Sequence, residues 1–204
     1  MYKFSLTDER TLIAVNEDGR ETVTIADEIC WFKEYDNLVI TLSVDKKFST
    51  LYKICKTSLV KDITVRIQRN INEFKEGIFP ILTRDEVIEI ELKEPYLVCV
   101  VRKNCRSLGF TETQQDCLMV TNIETKETQV IYEWNVMGEA GCVGIGIPHC
   151  YEKPDITLED EWINVRTTFK KPTRDYWFTN GAIEVKNFRI RYDGSDIQKN
   201  KRSF

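Results

Sequence analysis

Aromatic and amide side chains near the C-terminus form the strongest candidate binding site in this sequence. Tyr176, Trp177 and Asn180 lie close together, and Trp162 precedes them. Tryptophan and tyrosine bind sugars by stacking against C–H faces, while amides fix the hydroxyl groups. In a strand over Tyr176-Trp177-Phe178 the middle side chain points away from its neighbours. Trp177 is then exposed or at an interface, unless a loop or a second sheet covers it.

Paired carboxylates are the residues that could support glycosidase or lyase chemistry, which needs two acids at a fixed separation. Glu89 and Glu91 lie on one face of a predicted strand, about 7 Å apart if it is extended. Asp160 and Glu161 stand beside Trp162. Because the chain has 33 Asp and Glu residues, such pairs are also expected on a solvated polar face. We therefore assign no catalytic residue.

His149 is the single histidine of the chain, and Cys142 and Cys150 lie near it. Their spacing does not match the two ligand pairs of structural zinc sites. No GxSxG motif is present, so acyl transfer is not expected. The glycines of residues 138–146 alternate with apolar residues, which is typical of a strand with a bare face and not of a dinucleotide loop. We expect no metal and no cofactor.

The charge of the chain argues against a dedicated nucleic-acid binder. The net charge is −4 and the sequence pI is about 5.3, whereas such domains are strongly basic. The charge is uneven: residues 166–204 carry ten Lys and Arg against four Asp and Glu, while residues 1–165 carry nineteen against twenty-nine. Either the basic strands pair with acidic strands of the same fold, or a basic edge docks an acidic neighbour such as another copy.

Cysteine usage and the N-terminal residues suggest a cellular location. Seven cysteines are present, no CxxC motif occurs, and Met1 is not followed by an apolar signal-peptide core. We expect the thiols to be reduced. The expected location is a cytoplasm, including that of a host cell, or a virion. No run of apolar residues has the length of a membrane-spanning helix.

Period-two alternation of apolar side chains dominates the chain and predicts antiparallel strands. Examples are Leu38–Val44 and residues 63–68, 87–92 and 163–169, and Tyr96 begins a run that is apolar on both faces. A bulge near Lys186 and Asn187 would bring Ile183 and Phe188 onto one face. The predicted fold class is all-β, an antiparallel β-sandwich or jelly roll. We expect one domain over residues 1–194, with residues 1–95 as an alternative smaller β subregion, and a basic tail over residues 195–204.

Residues 161–193 resemble the last strands of carbohydrate-binding-module-like jelly rolls, which occur in phage tail and baseplate proteins and in glycosidase accessory modules. The resemblance rests on Glu161-Trp162, the strand over residues 164–169, Tyr176-Trp177-Phe178, the Asn180-Gly181 turn and the closing run AIEVKNFRIRYDG. It covers about a sixth of the chain and implies a jelly-roll module.

The sequence is compatible with three functions. The leading hypothesis is a non-enzymatic structural or adhesive protein, a virion or phage tail or head component whose partners are copies of itself or other structural proteins. The second is a carbohydrate-binding module with Trp177, Trp162, Tyr176 and Asn180 as binding residues. The third is a carboxylate-dependent glycosidase or lyase.

Overall fold

The computed structural model describes the backbone of residues 2–69, 72–76, 79–107, 111–141, 153–170 and 183–200. Side chains are described for residues 2–69, 85–103, 115–136, 153–169 and 184–199. Every regular element in these ranges is a β-strand. Contacts between Cα atoms divide the chain into two compact units, Met1–Arg69 and Asn70–Phe204.

The first unit contains seven strands in two antiparallel sheets. Their bounds are β1 Tyr2–Leu6, β2 Leu12–Asn16, β3 Thr22–Ala26, β4 Ile29–Glu34, β5 Leu38–Val44, β6 Phe48–Cys55 and β7 Lys61–Gln68. The sheet orders are β1-β2-β3 and β4-β5-β6-β7, so each strand pairs with a sequence neighbour. Gly19, at φ 71°, closes the turn between β2 and β3, where a left-handed backbone favours glycine.

A hydrophobic core in the first unit draws on both of its sheets. Its buried members are Phe4, Leu12, Ala14, Ala26, Ile29, Val39 and Ile54. The alternation predicted for residues 63–68 is interrupted, because the register of β6 and β7 shifts between Leu51 and Tyr52. This bulge turns Thr64 inward and leaves Ile63 48% exposed.

Within the described residues, the second unit contains nine strands in one sheet. Their bounds are β8 Asn72–Glu76, β9 Phe79–Lys93, β10 Tyr96–Ser107, β11 Thr111–Asn122, β12 Thr128–Gly141, β13 Asp155–Leu158, β14 Trp162–Lys170, β15 Ile183–Arg191 and β16 Ile197–Asn200. The order is β16-β15-β14-β12-β11-β10-β9-β8, and β13 also pairs with β14. All pairings are antiparallel except the short parallel contact of β12 with β14 at Met137 and Lys170.

The core of the second unit lies between the strands β9–β12 and the strands β13–β16, as in a sandwich. Its fully or nearly buried members are Val98, Val100, Leu118, Val120, Trp134, Val136, Ile156, Ile163, Val165, Phe188, Ile190 and Tyr192. Trp134 donates its indole N–H to the Thr167 hydroxyl at 3.2 Å, which ties β12 to β14. The rings of Tyr96 and Tyr192 stack with centroids 4.6 Å apart.

β10 is the central strand that the sequence predicts. Its five consecutive residues Leu97, Val98, Cys99, Val100 and Val101 are all buried, at most 4% exposed. A strand is buried at consecutive positions only when both of its faces are covered.

Two expectations about the C-terminal part of the chain need correction. The predicted bulge at Lys186 and Asn187 is absent, because β14 and β15 pair in continuous register from Trp162–Arg191 to Lys170–Ile183. The alternation is resolved instead by leaving Val185 48% exposed on the outer face. Ile197–Asn200, expected in a loose tail, forms strand β16 beside β15.

The predicted all-β antiparallel sandwich-type fold is confirmed. Pro95, the expected limit of an N-terminal subregion, lies in the turn between β9 and β10, whereas the boundary between the compact units follows Arg69. Among the described residues, no helix has the length and apolarity needed to cross a membrane.

Candidate functional site: an arginine face on strands β13 to β16

The outer face of strands β13–β16 carries a regular array of polar side chains around Trp162. Two cross-strand rows are set by the register, Thr157–Asn164–Arg189–Gln198 and Asp155–Arg166–Asn187, and Trp162 pairs with Arg191 beside them. On β14 these residues alternate with the buried Ile163, Val165 and Thr167. The array therefore points away from the core, and we call it the arginine face.

Trp162 lies at one corner of the arginine face, in contact with two guanidinium groups. The Cζ atom of Arg189 is 4.6 Å from the indole centroid, and that of Arg191 is 4.7 Å away. Stacking of guanidinium on an indole gains cation–π energy and restricts the motion of the arginine. The ring that the sequence offers as a sugar platform is thus already engaged by protein groups.

Both stacked arginines are also held by hydrogen bonds. Arg189 donates from Nε and Nη2 to Oε1 of Gln198, at 2.8 and 2.6 Å. Arg191 donates from Nη1 to Oε2 of Glu161 at 3.1 Å. A guanidinium has five N–H donors, so each arginine keeps donors for a further acceptor. Arg166 is exposed and forms no ion pair within the described part of the chain.

The acids considered as catalytic pairs have other partners in the structure. Asp160 accepts a hydrogen bond from Nζ of Lys93 at 2.6 Å, and this contact lowers the pKa of the Asp160 carboxyl. Glu161 pairs with Arg191. Glu89 accepts from the backbone N–H of Ile90 at 3.3 Å. A general acid needs a raised pKa, and the contact with Lys93 gives Asp160 the opposite shift.

The remaining candidate residues lie outside the described part of the chain. This holds for Trp177, Tyr176 and Asn180, and also for Cys142, His149 and Cys150. Of the four predicted binding residues, the structure describes Trp162 alone. Within the described residues, no group of three or more His, Cys, Asp or Glu side chains could hold a metal ion.

Sequence reasoning missed a cross-strand cluster on β10, β11 and β12. Glu133 Oε1 accepts hydrogen bonds from Nζ of Lys103 at 2.8 Å and from the thiol of Cys117 at 2.9 Å. Burial, and then the Glu133 hydrogen bond, raises the pKa of the Cys117 thiol to about 11. Cys117 is therefore a protonated, unreactive thiol at neutral pH. Nothing in the sequence spacing marks this cluster, because it depends on the register of three strands.

Cys55 is the last residue of β6, and its thiol has the opposite environment next to the turn that follows. Its Sγ lies 3.1 Å from the Thr57 hydroxyl. Hydrogen bonds from the side chains of Ser58 and Thr57 lower the pKa of the thiol to about 6. The described cysteines Cys30, Cys55, Cys99 and Cys117 form no disulfide.

Comparisons with known proteins do not place the chain in a family. No protein-family model matches it, and no curated protein matches it. It is similar to a solved oligogalacturonate lyase in complex with manganese, with TM-score 0.43 and 11% identity over 93% of this chain and 45% of that chain. It is similar to the β-propeller domain of Vanderwaltozyma polyspora Nup133, with TM-score 0.40 and 9% identity over 97% of this chain and 68% of that chain.

The chain therefore spans less than half the length of the lyase chain. At these TM-scores neither similarity carries a functional assignment.

Proposed function

We propose that this chain is a non-enzymatic structural or adhesive protein that acts through protein–protein contacts made by the arginine face. The supporting observation is the packing of Arg189 and Arg191 against Trp162 on an outer sheet surface. Tryptophan and arginine are the residues most enriched at the energetic centres of protein interfaces. Both arginines are held in place before a partner arrives, so that less side-chain entropy is lost on binding.

A virion or phage tail setting for this function follows only from the resemblance of residues 161–193 to jelly rolls of such proteins. This setting is part of the proposal, but the prediction that the arginine face binds the partner does not depend on it.

A carbohydrate-binding module is the second candidate, favoured by the amides and hydroxyl of the row Thr157–Asn164–Arg189–Gln198 beside Trp162. For a sugar to stack on Trp162, the guanidinium groups at 4.6 and 4.7 Å would have to leave the ring or share it. Since the arginines are also tied to Gln198 and Glu161, protein contact is the better supported function.

A photo-crosslinking amino acid placed at Asn164 tests the proposal in cells that naturally contain this protein. Asn164 lies in the middle of the arginine face, and Thr24 on the exposed side of β3 is the matched control position. We expect protein adducts from position 164 that are absent from position 24. The additional change Trp162→Ala should remove them.

In a second experiment, the purified wild-type protein is titrated with a panel of neutral and acidic oligosaccharides, and binding is followed by intrinsic tryptophan fluorescence. Saturable sugar binding that disappears with Trp162→Ala, together with no protein adducts from position 164, would reject the proposal in favour of the carbohydrate module.

A further inference from the structure

Three arginines of the arginine face form an oblique line of fixed positive charge. Arg166 on β14 is the diagonal neighbour of Arg189 on β15, because their direct partners are Asn187 and Asn164. Diagonal neighbours in a sheet lie about 7–8 Å apart, and alternate residues such as Arg189 and Arg191 lie about 7 Å apart. This spacing presents planar guanidinium groups to several carboxylates at once.

An acidic surface lies on the first unit, where the β1–β2 turn and the β3–β4 connection meet. The Ile29 backbone N–H donates to the Arg10 carbonyl at 2.9 Å, and the Thr11 hydroxyl donates to Asp27 at 2.8 Å. These bonds hold the two loops together. We call this surface the acidic tip, and its four exposed carboxylates belong to Asp8, Glu9, Asp27 and Glu28.

The acidic tip carries little compensating charge within its own two loops, although the first unit as a whole has eleven Lys and Arg against eleven Asp and Glu. Arg10 is the only basic residue within the two loops, and it stands against four acids. Over residues 2–36 as a whole, nine Asp and Glu oppose four Lys and Arg. Asp8, Glu9 and Glu28 form no ion pair within the described part of the chain. An opposing cationic surface would therefore relieve mutual repulsion at the tip.

We infer that the arginine face of one copy docks the acidic tip of a second copy of this chain. The inference rests on the proposed function and names its partner. Charge complementarity carries it, because the guanidinium line and the carboxylate tip both lie at the surface and are opposite in sign. Hydrogen bonds hold Arg189, Arg191 and Asp27 in place. Within the described residues, Arg166 forms no ion pair, although Asp155 is its cross-strand neighbour, and Asp8 and Glu9 form none either.

Such a contact joins two different surfaces, so it is heterologous. Each copy keeps a free arginine face or a free tip after one contact, and association continues into a ring or an open filament. The contact is electrostatic and lies at the surface, so added salt should weaken it strongly.

Charge reversal in the purified full chain tests the inference by size-exclusion chromatography with light scattering. Wild type should form complexes larger than a monomer at about 50 mM salt and dissociate at about 500 mM, where screening is nearly complete. The face variant Arg166→Glu/Arg189→Glu and the tip variant Asp8→Lys/Glu9→Lys should each be monomeric at low salt. An equimolar mixture of the two variants should regain association, because each now offers a charge complementary to the other.

The matched control is Lys3→Glu/Lys46→Glu, which changes the net charge as much as the face variant does but touches neither surface. It should associate like wild type. Circular dichroism of each variant should keep the β-sheet spectrum.

Monomeric wild type at low salt would overturn the inference, and so would failure of the mixture to associate. Crosslinks from position 164 to other proteins but never to a second copy would also overturn it. That last outcome leaves the proposed function standing, whereas the absence of any protein adduct removes both.

Discussion

Arg102 and Asp116 face each other across β10 and β11 and form a bidentate ion pair inside the second unit. Arg102 Nε donates to Oδ1 at 2.8 Å, and Nη2 donates to Oδ2 at 2.9 Å. The two side chains are only 6% and 0% exposed. In the register, Glu86 lies on the other side of Arg102, and Trp134 on the other side of Asp116. Buried charges of this kind are tolerated only while both partners are present.

Arg102→Met should therefore destabilise the chain by about 3–5 kcal/mol, since it leaves the Asp116 carboxylate buried without its counter-charge. The double variant Arg102→Met/Asp116→Leu should recover most of that loss, because an apolar pair of similar volume needs no hydration. Urea unfolding of the wild type, both single variants and the double variant measures the coupling. If the double variant is less stable than Arg102→Met, this account of the pair is wrong.

Burial raises the pKa of the Asp116 carboxyl, and the neighbouring guanidinium of Arg102 opposes that rise. In Arg102→Met the opposing effect is gone, so the folded protein should take up a proton at Asp116 more readily than the unfolded chain does. Its destabilisation should then shrink as the pH falls toward the acidic range. A pH-independent loss would point to a packing defect instead.

Gly19 and Gly194 provide a matched test of turn geometry, because both have left-handed φ, at 71° and 74°. A Cβ at Gly19 would meet open space, whereas one at Gly194 would lie 3.3 Å from Cβ of Ile131. Gly19→Ala should cost about 1–2 kcal/mol from backbone strain alone. Gly194→Ala should cost more, as measured by thermal unfolding. Equal losses would mean that Ile131 yields without penalty.

Cys55 should be the fastest-reacting of the described cysteines toward iodoacetamide. With its pKa lowered to about 6, the thiol is mainly thiolate at pH 7, and its alkylation should fall as the pH drops through about 6. Burial raises the pKa of Cys99 to about 12, so its reaction should be negligible at neutral pH. Peptide-resolved mass spectrometry measures both rates.

Ser58→Ala should move the midpoint of Cys55 alkylation to higher pH, because the Ser58 side-chain hydrogen bond is the largest cause of the lowered pKa. A wild-type midpoint near the usual value of about 8.5 would contradict this assignment.

Removal of residues 195–204 should destabilise the second unit, contrary to what a loose tail would do. The deletion eliminates β16, and Ile197 packs against the core of the second unit. The expected loss is about 1–2 kcal/mol from the apolar contact of this side chain. Removal of residues 201–204 alone is the control, and the two deletions should differ in denaturant midpoint.

The sequence predicts the class of fold well because two-residue periodicity reports directly which side of a strand is buried. The same kind of pattern, an apolar run on both faces from Tyr96, agrees with the burial of Leu97–Val101. The pattern fails where a register shift intervenes. The alternation predicts that Ile63 is buried, but Ile63 is exposed. Near Lys186 the strand keeps its register without the predicted bulge, and Val185 is left exposed.

The candidate site was less accessible to sequence reasoning than the fold. Trp162 could be singled out by residue type, but Arg189, Arg191 and Gln198 lie 27 or more positions away in the sequence. They join Trp162 only through the pairing of β14 with β15 and of β15 with β16. The partners of Arg102 and Cys117 could not be predicted for the same reason, because residues that are neighbours across strands have no fixed separation in the sequence.

The two-sided burial of β10 limits how this chain can vary during evolution. A strand with one exposed face accepts polar substitutions at every second position, so tolerant and intolerant positions alternate along it. Across Leu97–Val101 no position faces water. Only small or branched apolar amino acids are therefore expected to be tolerated at these five consecutive positions. Substitutions that suit a new partner are then expected on the peripheral strands, and few are expected to be tolerated on β10.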